Sequence, residues 1–595
     1  MCYACDPGFM SMMRNLMSRR AVIGAIGHGG LALAASSGRA FAATAAPSQP
    51  ARGDAVSGAD SGADHIFLAR LVLTMNPAQP RAEAIAVRQG RIIAVGSKVE
   101  ILGLKRAGTQ ITDFGDLVVT PGFIDPHMHS SFSGLRPWLD VGPFTTATLD
   151  EARAKITARA AKTPKGMWVQ AKMLDPSIMP GQTFDLAALD AMAPDNPLFI
   201  LESNGHVAYV NSAALALAGI GTTTPNPPQG RYVRDTSGVL TGRLEESPAY
   251  DAFFAHMPPP SDAETLDYLR SDIADAAATG VTTLHDCGLG QLFGAKDVEL
   301  IDRLMLTNPP VRYAGFLVSS HYDTWAAQGM KPGPRSPRFF LTGIKAWADG
   351  SNQAQTGFMR EPYLGSTSRG ALNYTPEQIE AVIARAHGDG WPVGVHANGD
   401  AAIDATIAAF DRATGGEGGH RLRHRLEHAS ILHDDQIAEM ARLGLSPSFL
   451  IGHVYYWGRA FRDRILGPER ASRLDPCASA LKAGLRISLH SDYNVTPIEP
   501  LRFMQNAVTR SLREGGDVLN PAECITAEQA LCAVTRDAAW QCHLDHLCGS
   551  LEPGKMADLA VLEDDPTAVA PDAIQSIRVH GTWLEGEATT NAMSH

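Results

Sequence analysis

Eight short apolar segments recur between residues 117 and 489, and patterns typical of helices lie between them. Amphipathic stretches such as PEQIEAVIARAHGDG and DDQIAEMARLGL occupy the gaps, and each ends near a glycine, as helices often do. Eight strand and helix units in succession favour an α/β protein built on a (β/α)8 TIM barrel. The predicted strands are Leu117–Ile124, Val281–Leu284, Val311–Leu317, Leu341–Trp347, Pro392–Val395, His424–Glu427, Leu445–Phe449 and Leu485–Leu489.

The regions on either side of the barrel have a different pattern. Residues 64–116 and 546–595 contain segments that alternate apolar and polar residues, which is typical of half-buried strands. Neither region is large enough for a good core alone, so we predict that they pair into one small β-sandwich domain. The barrel then spans residues 117–545. Its segment from about 131 to 275 is too long for one connection, and we predict an insertion after the first strand that roofs the active site.

The N-terminus has the pattern of a targeting segment. Ser18-Arg19-Arg20 precedes an apolar stretch rich in Gly and Ala, and Ala40-Phe41-Ala42 then offers the small-x-small pattern that a signal peptidase cuts after. We therefore predict a twin-arginine-like signal peptide over residues 1–42 and a linker over residues 43–63. The protein is then periplasmic or secreted, and a retained anchor or a cytoplasmic location is the alternative.

Composition limits the classes of partner. Acidic residues outnumber basic ones by 63 to 51, the formal net charge is -12, and the mature region carries no dense Lys/Arg run. Nucleic acid is therefore not an expected partner. The expected partner is a small molecule. We expect no stable membrane insertion once the signal peptide is removed. A homodimer is a possible oligomeric state.

Five of the predicted strands end in residues that can bind a metal. His127 and His129 are separated by one residue in GFIDPHMHS, so both side chains lie on the same side of an extended segment. The active sites of TIM-barrel enzymes lie at the carboxyl ends of the strands, where these residues are expected to meet. The other four candidates lie at or just past the carboxyl ends of later strands: Lys345, His396, His428 and Asp492.

These motifs resemble those of the amidohydrolase superfamily. The order HxH, Lys, His, His, Asp at strand ends, between β-rich termini, is similar to that superfamily, and the segments GFIDPHMHS, GIKAWADGS, VHANGDAAI, HRLEHA and GSLEPGKMADLAVLEDDP resemble its YtcJ-like branch. That branch includes N-substituted formamide deformylases. The resemblance covers roughly residues 64–585. It identifies a family but not a substrate.

The resemblance implies one or two divalent metals. In binuclear relatives a carbamate formed from carbon dioxide on the lysine bridges both ions, which maps onto Lys345. His127, His129 and Asp492 would then hold the more buried metal, and His396 with His428 the second. Zinc is the default metal for such imidazole-rich sites. An unmodified lysine is a cation with a pKa near 10.4 and would repel a metal, so the alternative for Lys345 is a structural ion pair with Asp349.

A bound metal would explain hydrolysis without a serine or cysteine nucleophile. It lowers the pKa of water from 15.7 to about 7 and polarises the substrate carbonyl. Asp492 would act as general base and then as general acid toward the leaving nitrogen. A turn or helix-capping role is the alternative for Asp492.

Several other residues are predicted to contact the substrate. Trp347 follows Lys345, His206 lies in the insertion, and His453, Tyr456 and Trp457 follow the seventh strand. The alternative for His206 is a structural histidine whose hydrogen bonds are satisfied within the protein. Arg425 and Glu427 are interpreted as structural ion pairs. His490 stands where the family's GSD-like motif has a small residue, so the surroundings of Asp492 can differ from those of relatives.

The combined prediction is a metal-dependent hydrolase for a non-peptide carbon–nitrogen bond, such as an N-acyl or N-formyl amide. A lyase or decarboxylase is the first alternative, since the same metal scaffold can polarise a carboxyl group without water attack. A binding or regulatory protein that has lost turnover is the second. Retention of all six candidate ligands, and above all of Asp492, argues against the second, because a mere scaffold needs no proton shuttle.

Overall fold

The computed structural model describes residues 62–203, 205, 207–227, 230–245, 247–254, 256–291, 294–416 and 419–589. The predicted signal peptide and all but the end of the predicted linker lie outside these residues. The strands are β1 (Ala63–Leu73), β2 (Arg81–Arg88), β3 (Arg91–Gly96), β4 (Lys105–Asp113), β5 (Val118–Pro121), β6 (Phe123–Met128), β7 (Leu139–Asp140), β8 (Val169–Leu174), β9 (Leu198–Glu202), β10 (Val207–Val210), β11 (Arg231–Arg234), β12 (Leu240–Glu245), β13 (Val281–Leu289), β14 (Arg312–Val318), β15 (Gly333–Ser336), β16 (Phe339–Trp347), β17 (Val393–Ala397), β18 (Arg425–His428), β19 (Ser446–Phe449), β20 (Ser488–Leu489), β21 (Leu559–Leu562), β22 (Val579–Leu584) and β23 (Glu587–Ala588).

Helices cover the strands, and their ends follow ordinary capping rules. The helix after β16, for example, begins with a capping box between Thr375 and Gln378 and with a proline in its first turn. The α-helices are α1 (Lys98–Leu102), α2 (Leu149–Ala160), α3 (Leu186–Met192), α4 (Ser212–Leu217), α5 (Ser247–Phe254), α6 (Asp262–Ala278), α7 (Ala295–Met305), α8 (Tyr322–Ala327), α9 (Pro376–Gly388), α10 (Asp400–Ala413), α11 (Asp434–Leu443), α12 (Gly458–Ala460), α13 (Pro468–Ala471), α14 (Cys477–Lys482), α15 (Pro500–Thr509), α16 (Ala527–Ala533) and α17 (Arg536–Gln541). Within the described part of the chain, no helix combines the length and the apolar character that a membrane span requires.

The central sheet is the barrel. Its eight parallel strands follow the order β6, β13, β14, β16, β17, β18, β19 and β20, and β15 adds to β16 in the antiparallel sense. The last strand meets the first because the Asp492 N–H donates to the His127 carbonyl (2.9 Å) and the His129 N–H donates to the Tyr493 carbonyl (3.1 Å). Strands such as β14 and β16 are buried along their whole length, as expected for parallel strands covered by helices. The predicted TIM barrel is confirmed.

The first predicted strand is wrong in one respect. Leu117–Ile124 is not a single barrel strand, because β5 pairs with β1 and β21 in another sheet and only β6 pairs with β13. Gly122 lies between the two. A Cβ on Gly122 would lie 2.2 Å from the Thr282 side chain, so the glycine allows the chain to pass closely over β13. The barrel therefore begins at Phe123 rather than at residue 117.

Both ends of the chain share one sheet. Its strands follow the order β23, β22, β21, β5, β1, β2 and β3, with β4 beside β1. The Phe67 ring of β1 contacts the Trp583 ring of β22, with centroids 6.3 Å apart, so the two ends also share a core. The sandwich layering stays a prediction. A third sheet, in the order β11, β12, β10, β9, β8 and β7, lies between β6 and β13 along the chain.

A buried histidine joins two strands at the end of the barrel opposite the candidate ligands. His424 Nδ1 accepts a hydrogen bond from the Val393 N–H (2.9 Å), and Nε2 lies 2.8 Å from His387 Nδ1. Burial, and to a smaller extent the nearby histidines, lower the pKa of His424 to about 3. The folded protein therefore holds this ring neutral, because a proton on Nδ1 would remove the acceptor of Val393.

This histidine predicts a loss of stability in acid. An unfolded histidine takes up a proton below a pH of about 6.5 and the folded one does not, so the free energy of unfolding falls as pH drops through that range. His424→Asn should remove about 1.4 kcal/mol of the decrease between pH 7.5 and pH 5.5. Thermal unfolding midpoints at both pH values test this, with His420→Asn as the control. An equal pH dependence in wild type and His424→Asn contradicts the prediction.

Candidate metal centre and active site

The six predicted metal ligands lie together at the carboxyl ends of the barrel strands. Each is buried, with at most 1% of its surface exposed. The tightest group joins the end of β6 to the segment after β20, where the backbone bonds that close the barrel hold the two together. His127 Nε2 lies 3.2 Å from His129 Nε2, and Asp492 Oδ1 lies 3.4 Å and 3.1 Å from these two nitrogens.

This group fits a divalent metal. Donor atoms at 2.0–2.1 Å from a tetrahedral zinc ion lie about 3.3–3.4 Å from one another, close to the separations seen here. Two imidazole nitrogens and a carboxylate oxygen are also ligand types that zinc and similar ions prefer. A cation at this point would balance the converging lone pairs and the carboxylate charge.

The other three candidates adjoin this group. Lys345 Nζ lies 3.3 Å from His127 Nε2. The His428 ring lies 4.8 Å from that of His127 and 4.6 Å from that of His396, measured between centroids. His396 Nε2 contacts the Gly350 carbonyl oxygen (3.1 Å) and Asn398 Nδ2 (3.0 Å). These three candidates thus form a less compact group than His127, His129 and Asp492 do.

The backbone is strained at two of these residues. His428 has φ 69° and Asp492 has φ 51°, in the left-handed region that residues other than glycine rarely adopt. Such conformations persist only where the surrounding structure enforces them, and they cluster at functional sites. At both residues the turn occurs where the chain leaves the barrel strand and the side chain joins the cluster.

Asp349 does not form the ion pair with Lys345 that was the alternative prediction for that lysine. Its carboxylate accepts hydrogen bonds from the backbone N–H groups of Phe358, Asn398 and Gly399 and lies 3.6 Å from His396 Nε2. Burial raises the pKa of Asp349 to about 6, against the lowering effect of His396 and these backbone donors. Asp349 therefore orients the loop beside His396.

Glu427 has a role that the sequence interpretation missed. Its Oε2 lies 2.6 Å from His127 Nδ1, and Oε1 accepts a hydrogen bond from Arg425 Nε (2.5 Å). A carboxylate on the far nitrogen of a ligand histidine fixes the ring and makes it a better ligand. A Cβ on Gly394 would lie 2.8 Å from Glu427 Oε1, so a glycine is needed there. The sequence did carry a signal for this role: Glu427 is a charged residue inside a strand predicted to be buried, and a buried charge requires a partner.

His490 is a second residue whose position only the structure shows. Its ring stacks on that of His127, with centroids 4.6 Å apart, and contacts that of His428 at 5.1 Å. Nε2 lies 3.2 Å from the Ser448 carbonyl oxygen. Burial lowers the pKa of His490 well below its ordinary value, so the ring is neutral beneath the cluster.

The predicted substrate-contacting residues lie in three places. His206 lies outside the described residues. Trp347 ends β16, two residues after Lys345 and on the same side of the strand. The other three belong to a π-helical segment, His453–Trp457, that follows β19.

That π-helical segment contacts the region between β6 and β13. The Tyr456 ring packs edge-on against Phe144 (4.5 Å between centroids), and Trp457 Nε1 donates to Asp175 Oδ2 (2.9 Å). His453 Nδ1 lies 3.7 Å from Asp475 Oδ2. The segment thus joins the barrel mouth to the inserted residues, and substrate contact by these side chains stays a prediction.

The Glu427 contact leads to a measurable expectation. Glu427→Gln should weaken metal binding by about 10- to 100-fold, the usual cost of losing an outer partner of a ligand histidine. It should also lower the thermal midpoint, because Arg425 keeps a buried charge without its counter-charge. Chelator competition measures the affinity, and Glu514→Gln at a half-exposed surface ion pair is the matched control. Unchanged affinity contradicts the orienting role of Glu427.

Comparisons with known proteins agree with this architecture. A model of the amidohydrolase family matches residues 110–589. N-substituted formamide deformylase from Arthrobacter pascens is 30% identical over 528 residues, which cover 87% of this chain and 96% of that protein. The protein YtcJ of Bacillus subtilis is 28% identical over 532 residues, which cover 87% of this chain and 97% of YtcJ.

A solved structure supports the fold. The crystal structure of an uncharacterized metal-dependent hydrolase from Pyrococcus horikoshii OT3 superposes with a TM-score of 0.69 at 20% identity. The match covers 85% of this chain and 99% of that one. At this identity the likeness supports the barrel architecture and no more.

Proposed function

The chain belongs to the amidohydrolase family, and we propose that it hydrolyses carbon–nitrogen bonds outside peptides, in particular those of small N-acyl or N-formyl amides. The observation that carries this proposal is the position of Asp492, whose Oδ1 lies 3.1 Å and 3.4 Å from two buried imidazole nitrogens. A carboxylate there can serve both metal binding and proton transfer. The name of the Arthrobacter pascens relative supports the choice of acyl group.

The proposal assigns the metal-binding residues in two sets. His127, His129 and Asp492 would hold the more buried ion, preferably zinc, and His396 with His428 a second. We propose that Lys345 is carbamylated, because an unmodified ammonium group 3.3 Å from His127 Nε2 would repel a metal. The bound metal would supply water of low pKa and polarise the amide carbonyl.

The protein's own residues perform the proton transfers in this mechanism. Asp492 accepts the proton of the attacking water and then gives it to the leaving nitrogen, so that an amine and a carboxylic acid are released. The backbone N–H of Asp492 donates to the His127 carbonyl (2.9 Å), and this hydrogen bond positions Asp492. Glu427 keeps the proton of His127 on Nδ1 (2.6 Å), so that Nε2 is available as a ligand.

Product analysis in isotopically labelled water tests the proposal. The full-length protein is reconstituted with zinc, and with manganese, iron or nickel in parallel, and then incubated with a panel of N-formyl, N-acetyl and N-benzoyl amines. Hydrolysis places one labelled oxygen in the released acid and yields the free amine. Release of carbon dioxide in place of the acid would instead indicate a decarboxylase. Absence of turnover over the whole panel with every metal would reject the amide class.

A further inference from the structure

We propose that Gln291 reads the N–H group of the scissile amide and makes the enzyme selective for N-monosubstituted amides. The proposal rests on the proposed amide hydrolysis and names the substrate class within it. It is carried by a buried carboxamide beside the ligand cluster whose hydrogen-bonding groups have no partner among the described residues.

Gln291 lies just past the carboxyl end of β13, on the same rim as the metal-ligand candidates. Its backbone N–H donates to the Gly288 carbonyl (3.1 Å), which turns the chain tightly after the strand. Only 2% of the residue is exposed. The side chain is therefore enclosed at the barrel mouth rather than directed to solvent.

The geometry at Gly288 locates the carboxamide next to a ligand histidine. A Cβ added to Gly288 would lie 2.4 Å from Gln291 Oε1 and 2.8 Å from His129 Nδ1. Both atoms thus border the same small space above the Gly288 backbone. His129 in turn contacts Asp492 through its other ring nitrogen, at 3.1 Å. Gln291 is one side chain away from the proposed reaction centre.

The donor and the acceptor of the Gln291 carboxamide are available to a ligand. Neither Nε2 nor Oε1 of Gln291 has a hydrogen-bond partner among the described residues. The indole N–H of Trp347, two residues after Lys345 on the same rim, also has none within the described chain, and only 3% of Trp347 is exposed. Buried polar groups of this kind cost stability, and native proteins retain them where a ligand or an ordered water satisfies them.

The chemistry of the carboxamide indicates which ligand it suits. Glutamine offers one acceptor oxygen and one NH2 donor group, which match the N–H and the C=O of a substrate amide. Trp347 offers only a donor, which suits a carbonyl oxygen. An amide that carries two substituents on nitrogen has no N–H for Oε1, and it would leave that oxygen buried without a partner. Sites that read a substrate hydrogen bond in this way reject analogues that lack it much more strongly than apolar pockets do.

A matched pair of substrates tests the selectivity. Wild-type enzyme reconstituted with metal is assayed with N-phenethylformamide and with N-methyl-N-phenethylformamide. We expect kcat/KM to be at least about 100-fold higher for the first. Equal values for both amides would overturn the inference and leave amide hydrolysis standing. Failure of the wild type to hydrolyse either amide, or any member of the wider panel, would reject the proposed function itself, and this inference with it.

Variants then assign the selectivity to Gln291. Gln291→Met keeps the length of the side chain and removes both hydrogen-bonding groups, and Gln291→Leu is a second variant of similar volume. We expect kcat/KM for the monosubstituted amide to fall by roughly 10- to 100-fold and that for the N-methyl amide to stay within about threefold, so the ratio collapses. An equal fall for both substrates overturns the inference.

Thermal unfolding supplies a readout that does not depend on activity. Removing polar groups that no described residue satisfies should leave the unfolding midpoint of Gln291→Met unchanged or higher. Gln541 is the matched control, because it is buried and fully engaged: Ser488 Oγ donates to its Oε1 (2.5 Å) and its Nε2 donates to the Pro447 carbonyl (2.9 Å). Gln541→Met should lower the midpoint and keep the substrate ratio. A clear fall in midpoint for both Gln291→Met and Gln291→Leu would assign Gln291 a structural role and overturn the inference.

Discussion

Replacing Asp492 with asparagine is expected to lower kcat by about 100-fold or more while much of the bound metal is retained. In the wild type, Asp492 Oδ1 lies 3.4 Å from His127 Nε2 and 3.1 Å from His129 Nε2. Asparagine keeps an oxygen that can face these two nitrogens, but it cannot accept and return a proton. The loss therefore appears in turnover rather than in metal content. Steady-state kinetics and elemental analysis of the same preparation measure the two effects.

The control for this variant is an aspartate far from the cluster. Asp564 has a side chain that is 60% exposed at a surface ion pair with Arg70, and Asp564→Asn should change neither kcat nor metal content. Asp492→Asn with wild-type kcat would refute the proton-transfer role. Loss of all metal together with activity would leave Asp492 as a ligand only.

Lys345→Ala is expected to lower metal affinity by more than the 10- to 100-fold that loss of an outer partner costs, because the proposed carbamate would itself be a metal ligand. Lys345 is fully buried and lies 3.3 Å from His127 Nε2, so its removal also opens a space beside the cluster. Short carboxylic acids such as formate, acetate and propionate can enter that space and supply two oxygens in place of a carbamate. Metal content and kcat should both recover with increasing acid concentration.

Lys345→Arg provides the matched control for rescue. Arginine stays charged and leaves no space, so added acids should restore neither metal nor rate. Recovery in Lys345→Ala but not in Lys345→Arg supports the carbamate. An experimental structure of the metal-loaded wild type with an unmodified Lys345 would overturn it.

Much of the site was predictable because its motifs are local. His127 and His129 sit on one side of a single extended segment, and Lys345, His396, His428 and Asp492 each lie at or just past the carboxyl end of an apolar strand, so the barrel topology alone brings them to one rim. Glu427 was interpreted as a structural ion-pair residue because its contact with His127 spans 300 positions of sequence. No local pattern encodes such a pairing.

The sequence by itself determined the barrel, because period and length of the apolar segments leave few other ways to bury eight parallel strands under helices. It also determined which residue types reach the carboxyl ends of those strands. Only the tertiary structure decided that β5 leaves the barrel for the terminal sheet, that His490 stacks beneath His127, and that Gln291 lies beside His129. These outcomes depend on close approach between segments distant in the chain, where a missing Cβ at Gly122 or Gly288 matters more than any local propensity.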